Sequence, residues 1–359
     1  MKILVYGAGP LGSIIAARLQ QGGHAVSLLA RGQRLEDLHA YGIVLHDARD
    51  ATWTTVRVDV VEALAPDDAY DLVLVVMRKN SALQILPILA ANTATPNVLF
   101  LMNNAAGPDA LTAALGADRV LIGFPGAAGY REGHVVHGFT GTPHRPVTLL
   151  LGEVDGRITP RTRQIAAALD EGQTMTADIR SDMDTWLKYH VALLMPSLAP
   201  ALYMCGTDNQ QLARTRDALI LTVRAIREGF RVLMDLGMPI TPPSFRLWMW
   251  LPEPIVVFAL KHLLMRKEME IALVRHAEAA RDEVRHLTNE FLTLAQRSDV
   301  PIPTIRRLYP HLDPDTPGME VGSQTMPMQW QRLRAAGTVV AILALGLLIL
   351  HRRRSHRKE

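Results

Sequence analysis

Apolar residues in the first 180 positions occur in short runs that alternate with stretches of helical spacing. The runs KILVYGAG, HAVSLLA, YDLVLVVM (70–77) and NVLFLMN (97–103) are nearly continuous in apolar residues. Such runs are typical of strands covered on both faces in a parallel sheet. PLGSIIAARLQQGG carries apolar residues at every fourth position from Leu11 to Leu19 and ends at two glycines, which predicts a helix. This alternation predicts an α/β fold, a Rossmann doubly wound parallel sheet over residues 1–180.

The strand pattern ends near residue 180, and stretches with helical spacing follow. They are DTWLKYHVALLMPSLAPALY, TRDALILTVRAIREGFRVLMDLG and ALVRHAEAARDEVRHLTNEFLTLAQRS. We therefore expect an all-helical domain over residues 181–313, serving the substrate or dimerisation. Residues 314–334 carry Pro, Gly and Ser and are expected to form a linker. Residues 335–359 are a hydrophobic segment with a basic tail.

The hydrophobic segment, AAGTVVAILALGLLIL, has sixteen uncharged residues (335–350) followed by His351 and three arginines. As a helix it would be roughly 24 Å long, shorter than a hydrocarbon core of about 30 Å. Flanking arginines can extend it by snorkelling, but a true span would place the basic tail outside a cytoplasmic body. We expect membrane contact through residues 335–350. A helix packed on a partner subunit is the alternative, and the topology stays open.

A second unusual stretch is FRLWMWLPEPIVVFALKHLL (245–264), which Pro252 and Pro254 interrupt. Trp248 and Trp250 are residue types found at membrane interfaces. A helix of a dimer interface or a lid over a substrate cleft explains the same pattern. Membrane contact and a homodimer therefore both stay open.

Composition excludes several classes of site. Cys205 is the single cysteine, so the chain has no intramolecular disulfide and no cysteine-rich zinc site, which fits a reducing, cytoplasmic compartment. The thirteen histidines show no metal-ligand spacing, and we predict no metal. The formal charge is +3, and HRRRSHRKE at the end carries five basic residues and one Glu. Subtracting this +4 leaves −1 for residues 1–350, so we expect no nucleic-acid partner.

The turn GAGPLG matches G-x-G-x-x-G between a predicted strand and a predicted helix, which is the context of a dinucleotide site. Gly7 would permit the tight turn, Gly9 would admit a pyrophosphate, and Gly12 would allow close packing of helix and strand. Phosphates would lie at the helix N-terminus. A glycine-rich turn without a ligand is the alternative.

The second predicted strand ends in LLARGQR, where a cofactor with a free ribose 2′-hydroxyl usually meets an acidic residue. This chain has Ala30 and Arg31 there, with Arg34 close by. A guanidinium binds a phosphate through two parallel hydrogen bonds, so we expect NADPH rather than NADH. A solvated arginine in a loop is the alternative.

The chain resembles the ketopantoate reductase (2-dehydropantoate 2-reductase) family from residue 1 to about 312. The resemblance is carried, in order, by KILVYGAGPLG, LLARG, DLVLVVMRKN, LMNNAAG, GYREGHVVH, WLKYHVALLMPSLAPAL and VPIPTIRRLY. It implies an N-terminal Rossmann domain and a C-terminal helical domain with NADPH and a small oxo acid between them. It also implies reduction of 2-dehydropantoate to pantoate, a step of pantothenate biosynthesis.

Matched position by position, the resemblance implies that Lys188 is the catalytic lysine and that Asn103 touches both cofactor and substrate. Glu283 matches an acidic residue near the cofactor, and Arg78, with Lys79 beside it, falls where the family has a cofactor-contacting lysine. The full set of expected cofactor-binding residues is Gly7, Ala8, Gly9, Pro10, Leu11, Gly12, Arg31, Arg78, Asn103, Gly129 and Glu283.

Hydride transfer to a ketone leaves a developing alkoxide that needs a proton. A lysine ammonium held beside apolar walls is a suitable general acid, because desolvation lowers its pKa, and it also stabilises the oxyanion. This is the role we expect of Lys188, whereas a snorkelling surface lysine is the alternative. Asp182 and Asp184 are expected to cap the helix that carries it.

The family's substrate-binding side chains are not all present. Ala192 and Pro196 stand where the family has asparagines that bind the substrate, and its serine would fall near Ile271. A pocket without these hydrogen-bonding groups discriminates differently. Two alternatives therefore stay open: a reductase of a different oxo compound, and a membrane-attached NADPH-binding protein with little turnover.

Overall fold

A computed structural model describes residues 1–330. These residues form twelve strands: β1 (Lys2–Tyr6), β2 (Ala25–Leu29), β3 (Ile43–Asp47), β4 (Trp53–Val56), β5 (Asp59–Val61), β6 (Leu72–Val75), β7 (Val98–Leu101), β8 (Val120–Pro125), β9 (Gly129–Glu132), β10 (Val135–Gly138), β11 (Val147–Glu153) and β12 (Met175–Ile179). The last strand ends close to the position where the strand pattern of the sequence ends.

The described residues also form α-helices, which are α1 (Pro10–Gln21), α2 (Gln33–Tyr41), α3 (Lys79–Gln84), α4 (Leu86–Ala91), α5 (Asp109–Leu115), α6 (Pro160–Asp170), α7 (Met183–Leu193), α8 (Ala199–Met204), α9 (Asn209–Arg214), α10 (Arg216–Asp235), α11 (Arg246–Trp250), α12 (Glu253–Leu264), α13 (Arg275–Ala279), α14 (Arg281–Ala295) and α15 (Pro303–Leu308). π-helical turns cover Leu194–Leu198 and Glu270–Val274, and 3₁₀ turns cover Pro243–Phe245 and Tyr309–Leu312.

The main sheet has eight strands in the order β12-β11-β8-β7-β6-β1-β2-β5. Strand β1 is parallel to β2 on one side and to β6 on the other. The chain therefore builds outward in both directions from β1, and the strand order reverses between β1 and β6. In doubly wound sheets, ligands bind in the crevice beyond the carboxyl ends of the strands at such a point.

Two features of the sheets differ from the expectation of one parallel sheet. Strand β11 is antiparallel to β8, so the main sheet is mixed. A second sheet, β4-β3-β10-β9, packs on α1 and was not predicted. Its strands are short and contain many half-buried or exposed residues, so their sequences are not continuous apolar runs; IVLHD of β3, for example, alternates buried with half-buried residues. Only fully apolar runs were recognised as strands.

The helical part follows β12 and includes the apolar stretch Trp186–Leu202 as α7, a π-helical turn and α8. Pro196 has no N–H and cannot donate to the carbonyl of Ala192, four residues earlier. The helix widens at this point, and the hydroxyl of Ser197 donates to the Ala192 carbonyl at 3.0 Å. Pro196 thus widens one long helix rather than ending it.

The described part of the expected linker, residues 314–330, contains no helix or strand, but it is bound to the helical part. The Asp217 carboxylate on α10 accepts hydrogen bonds from Ser323, Thr325 and Met326. Arg224 donates to the Pro327 carbonyl at 2.8 Å. This segment is therefore a docked strap over α10, not a free tether.

Within residues 1–330, no helix is long and apolar enough to cross a membrane. The hydrophobic segment at 335–350 lies outside the described residues.

Candidate active site

The glycine-rich turn joins β1 to α1 at the point where the strand order reverses. Gly7 has φ +122°, and a Cβ there would lie 2.5 Å from the carbonyl oxygen of Val76, which follows β6. A Cβ at Gly12 would lie 1.8 Å from the Gly7 carbonyl oxygen. A Cβ at Gly9 would meet no protein atom within 4 Å. Gly7 and Gly12 are thus required by the fold, whereas Gly9 leaves the approach to the N-terminus of α1 open, as a pyrophosphate needs.

The two arginines after β2 have different surroundings. Arg31 is exposed, and its Nε donates to the Glu62 carbonyl at 3.1 Å. Arg34 is buried beneath the glycine-rich turn, where it donates to the Ala8 carbonyl and the Ser13 hydroxyl at 3.3 and 2.9 Å. Burial lowers the pKa of Arg34 to about 10. Arg34 therefore supports the turn, and Arg31 is the more accessible of the two arginines.

Lys188 lies in the second turn of α7 and is only 5% exposed. Its Nζ forms a salt bridge with Asp184, one turn earlier. A Cβ at Gly107 would lie 3.4 Å from Lys188 Nζ and 3.6 Å from Asp184 Oδ1, so both groups face the loop after β7. The ammonium expected beside apolar walls thus also has an anionic partner, Asp184, which compensates its charge. Of the two aspartates expected to cap this helix, Asp182 occupies the N-cap position without a side-chain cap hydrogen bond, and Asp184 in the first turn pairs with Lys188.

The loop after β7 carries two asparagines with different roles. Asn104 is buried, and its Oδ1 accepts from the Gly107 amide at 3.0 Å while its Nδ2 donates to the Gly107 carbonyl at 2.9 Å. Asn104 therefore holds the loop closed. Asn103 Oδ1 and Asp184 Oδ1 are buried and find no hydrogen-bond donor among residues 1–330. Such orphaned acceptors are costly unless a ligand completes them, and a carboxamide N–H or a hydroxyl would do so.

Lys79 is a second buried lysine at this site, 2% exposed, at the start of α3. Its Nζ donates to Asn104 Oδ1 at 2.7 Å and lies 3.6 Å from Oε1 of Glu290 on α14. The other oxygen of Glu290 accepts from the amides of Ala105 and Ala106, each at 3.2 Å. Burial lowers the pKa of Lys79, Glu290 opposes this, and the nearby Lys188 lowers the pKa further.

Glu283 and Arg78 join the two parts of the molecule at the edge of the site. Glu283 is buried and accepts from the Lys79 amide at 3.1 Å. Burial raises the pKa of Glu283, which the hydrogen bond from Lys79 and the charge of Arg78 oppose. Arg78 is exposed and donates to Asp282 at 3.0 Å. Of the adjacent residues Arg78 and Lys79, Arg78 turns its guanidinium outward and Lys79 turns its ammonium into the site.

Gly129 begins β9 in the second sheet. A Cβ there would lie 2.9 Å from the His137 carbonyl oxygen and 3.5 Å from Ile14 of α1. Close pairing of β9 with β10 over α1 accounts for this glycine. Its expected contact with the cofactor stays a prediction.

An apolar cavity of about 90 Å³ lies in the helical part beyond Glu283. Its lining comes from the π-helical turn after α7, from the segment that leads into α13, and from α14. The lining residues are Leu194, Met195, Leu198, Ala199, Met269, Ala272, Leu273, His276, Ala277 and Val284.

Ala192, one turn after Lys188, is fully buried, and its Cβ lies 3.2 Å from the Cβ position of Gly229 on α10. The close packing of α7 against α10 thus accounts for a small residue at position 192.

The structure brings Lys188, Asn103 and Glu283 to one region, together with Lys79, Asn104, Asp184 and Glu290, which the sequence did not identify as site residues. The sequence feature that could have identified Lys79 is its position directly after an apolar strand, at the start of a helix. Glu290 lies seven residues after Glu283, two helical turns along the same face. In the described part of the chain, no group of three or more His, Cys, Asp or Glu could hold a metal ion.

Comparisons with known proteins show what the chain is similar to. The family model described as ketopantoate reductase PanE/ApbA matches residues 3–147. A curated 2-dehydropantoate 2-reductase of Archaeoglobus fulgidus is 26% identical over 239 residues, which is 66% of this chain and 75% of that protein.

Solved structures show the same fold over nearly their whole length. The crystal structure of 2-dehydropantoate 2-reductase from Geobacter metallireducens GS-15 gives a TM-score of 0.72 at 18% identity and covers 87% of this chain and 99% of the other. The structure of D-mandelate dehydrogenase with NADH and anilino(oxo)acetate gives 0.71 at 14% identity, with coverages of 87% and 97%. At these identities the likeness concerns the fold, a Rossmann-type sheet followed by helices.

Proposed function

We propose that this chain, whose residues 3–147 match the ketopantoate reductase family model, is an oxidoreductase that reduces the ketone of a 2-oxo acid with NADPH. The reaction named by the resemblance is 2-dehydropantoate to pantoate. The observation that carries the proposal is the position of Lys188: its buried ammonium reaches from α7 to the loop after β7, next to Gly107 and in the loop of Asn103.

The residues of the site divide the work of such a reduction. Bound NADPH would supply the hydride to the carbonyl carbon. The carbonyl electron pair moves to oxygen, and Lys188 gives that oxygen a proton, so the products are an alcohol and the oxidised cofactor. Asp184 holds the ammonium in place. The orphaned Oδ1 of Asn103 would accept a hydrogen bond from the carboxamide of a bound nicotinamide and so orient it.

The preference for NADPH rests on Arg31. The residue is exposed at the end of β2, and the Ala30–Arg31 pair takes the place of an acidic residue that would bind a free 2′-hydroxyl. A guanidinium at this point favours the 2′-phosphate. NADH, the cofactor named for the D-mandelate dehydrogenase structure, is the alternative.

A different oxo compound is the second candidate substrate. The resemblance places hydrogen-bonding side chains at the positions of Ala192 and Pro196, and the cavity in the helical part is lined by apolar residues apart from His276. Such a cavity favours a 2-oxo acid with an apolar side chain over a hydroxylated one. Lys188 and Asn103 would serve either substrate in the same way.

A membrane-attached NADPH-binding protein with little turnover is the third possibility. The composition of residues 335–350 supports attachment of the cytoplasmic protein to a membrane. Comparing the localisation of the full chain with that of residues 1–330 tests this attachment.

The function is tested by following the loss of NADPH absorbance with the purified full chain. The substrates are 2-dehydropantoate and a series of 2-oxo acids with small, branched and aromatic side chains. Oxidation with any of them supports a reductase, and the substrate with the highest kcat/KM identifies its class. Tight binding of NADPH without oxidation by any member of the series contradicts the proposal and favours the binding protein.

A further inference from the structure

Asp184 presents a free hydrogen-bond acceptor next to the ammonium of Lys188. One oxygen of its carboxylate, Oδ2, pairs with Lys188 Nζ across one turn of α7. The other oxygen, Oδ1, is buried and receives no hydrogen bond from any residue between 1 and 330. A buried carboxylate oxygen without a donor is costly. The site therefore has a place for one donor from a ligand, directly beside the expected proton donor.

The acceptor and the ammonium border the same small space beside Gly107. A Cβ built on Gly107 would lie 3.4 Å from Lys188 Nζ and 3.6 Å from Asp184 Oδ1. Apart from its chain neighbours, it would meet no other atom of residues 1–330 within 4 Å. Gly107 is held there by Asn104, which bonds both its amide and its carbonyl. Because Oδ1 and Oδ2 belong to one carboxylate, a ligand oxygen bonded to Nζ can also lie within hydrogen-bond distance of Oδ1.

The ligand oxygen changes its hydrogen-bonding capacity during the proposed reduction. A ketone oxygen only accepts, so it can bond Lys188 Nζ but has nothing to donate to Asp184 Oδ1. When the new C–H bond forms, the carbonyl π electrons move to oxygen, an N–H bond of Lys188 breaks and an O–H bond forms. The new hydroxyl can donate to Oδ1, and a hydrogen bond to a carboxylate is stronger than one between neutral groups. Lys188 is then neutral, so this bond replaces part of the interaction that Asp184 has lost.

On the basis of the reductase function proposed above, we propose that Asp184 Oδ1 accepts a hydrogen bond from the hydroxyl that forms at the reacting carbon. Asp184 is then a catalytic residue that touches the product, as well as the partner of Lys188. The Asp184–Lys188 pair consequently binds a 2-hydroxy acid more tightly than the matching 2-oxo acid.

The test compares three ligands that differ only at C2. They are the 2-oxo acid with the highest kcat/KM in the series above, the 2-hydroxy acid that it yields, and the carboxylic acid with neither oxygen at C2. Calorimetry with the full chain measures binding of the hydroxy acid to the NADPH complex and of the oxo acid to the NADP⁺ complex, because neither combination can react. The third acid is titrated into both complexes.

Asp184→Asn is the informative variant because it keeps the shape of the side chain and leaves Lys188 a partner. The ammonium only donates, so it draws the amide oxygen towards itself and the amide NH₂ takes the place of Oδ1. Asp182→Asn, at the N-cap of the same helix, is the matched control. Its carboxylate accepts from Arg180 and Thr241 at 3.0 and 2.6 Å. Thermal melting of each variant reports correct folding.

We expect Asp184→Asn to bind the hydroxy acid about 10- to 100-fold more weakly than the parent does. Its affinities for the oxo acid and for the acid without a C2 oxygen should change by less than about threefold. Asp182→Asn should match the parent with all three ligands.

Equal losses for all three ligands, or no loss for the hydroxy acid, overturn the inference and leave Asp184 only as the residue that holds Lys188. A loss confined to NADPH and NADP⁺ also overturns it and assigns Oδ1 to a hydroxyl of the cofactor. Both outcomes leave the reductase function intact. If the parent oxidises NADPH with none of the oxo acids, the proposed function fails and the inference fails with it.

Discussion

The Nζ atom of Lys79 lies 3.6 Å from Oε1 of Glu290, and this ion pair connects α3 of the α/β part to α14 of the helical part. Lys79 is 2% exposed, and its ammonium also holds Asn104. The pair and its hydrogen bonds fix the loop that carries Asn103 against the helical part. The α/β part thus contributes the cation and the helical part the anion of a buried ion pair that holds the two sides of the site together.

Removing one member of this pair should destabilise the fold. Lys79→Met leaves the Glu290 carboxylate without its cation, and we expect the free energy of unfolding to fall by about 3 kcal/mol. Urea denaturation measures the loss. The double variant Lys79→Met/Glu290→Gln removes the uncompensated charge and should recover part of it. Parent-like stability of Lys79→Met would show that the pair contributes nothing.

Two glycines of the turn should respond in opposite ways to alanine. Gly12→Ala places a methyl group against the Gly7 carbonyl and should cost about 1–3 kcal/mol of stability. Gly9→Ala meets no protein atom within 4 Å, so the fold should be unaffected while NADPH binds about tenfold more weakly. Thermal melting and cofactor titration separate the two effects. If the affinity for the cofactor is unchanged in Gly9→Ala, the pyrophosphate does not bind at Gly9.

Cofactor selectivity should depend on Arg31. Arg31→Ala removes the exposed guanidinium at the end of β2, and KM for NADPH should rise about tenfold while KM for NADH stays unchanged. Arg163→Ala, at an exposed position of α6, is the control. If KM rises equally for both cofactors, Arg31 supports the turn and does not read the 2′-phosphate.

His190 should make stability depend on pH. The ring packs between Phe124 and Trp186, with centroid distances of 4.4 and 5.0 Å, and burial lowers its pKa to about 4, helped by the charge of His276. Between pH 6.5 and 4 the His190 imidazole is protonated in the unfolded chain but stays neutral in the folded chain. Stability therefore falls as the pH falls through this range.

The expected loss is about 2 kcal/mol, less than the full pKa difference implies, because the ring keeps some solvent exposure. Denaturant unfolding at a series of pH values measures it. His190→Phe should remove the His190 contribution, and an unchanged pH dependence in this variant would assign the effect to other groups.

The local features of the molecule could be predicted from sequence. The strands β1, β2, β6 and β7 are nearly continuous apolar runs, and the glycine spacing after β1 lies within six residues. The second sheet could not be predicted, because its strands are short and half polar and its two hairpins are joined only by a pairing between distant stretches of chain. β3 pairs with β10, for example, and nothing in either run indicates its partner.

The same limit applies to the site. Lys188 was found because an ammonium inside an apolar helix is conspicuous and because a family motif contains it. Its partner Asp184 was mistaken for a capping residue, since both roles place an acidic residue at the start of a helix. Glu290 and Lys79 are brought together only by the packing of α14 on α3. Arg78 and Lys79 are neighbours in sequence, and only the structure shows which of them is buried.

The measurement that most directly tests Lys188 as proton donor is the steady-state rate of NADPH oxidation by Lys188→Ala, with the best oxo-acid substrate and NADPH affinity measured in parallel. Lys261→Ala, an exposed lysine on α12, is the matched control. We predict that kcat falls by about 10²–10⁴-fold in Lys188→Ala while cofactor affinity and stability stay close to those of the parent. A variant that binds NADPH and retains parent-like kcat would contradict the assignment, and Lys79 would then be the remaining buried lysine to test.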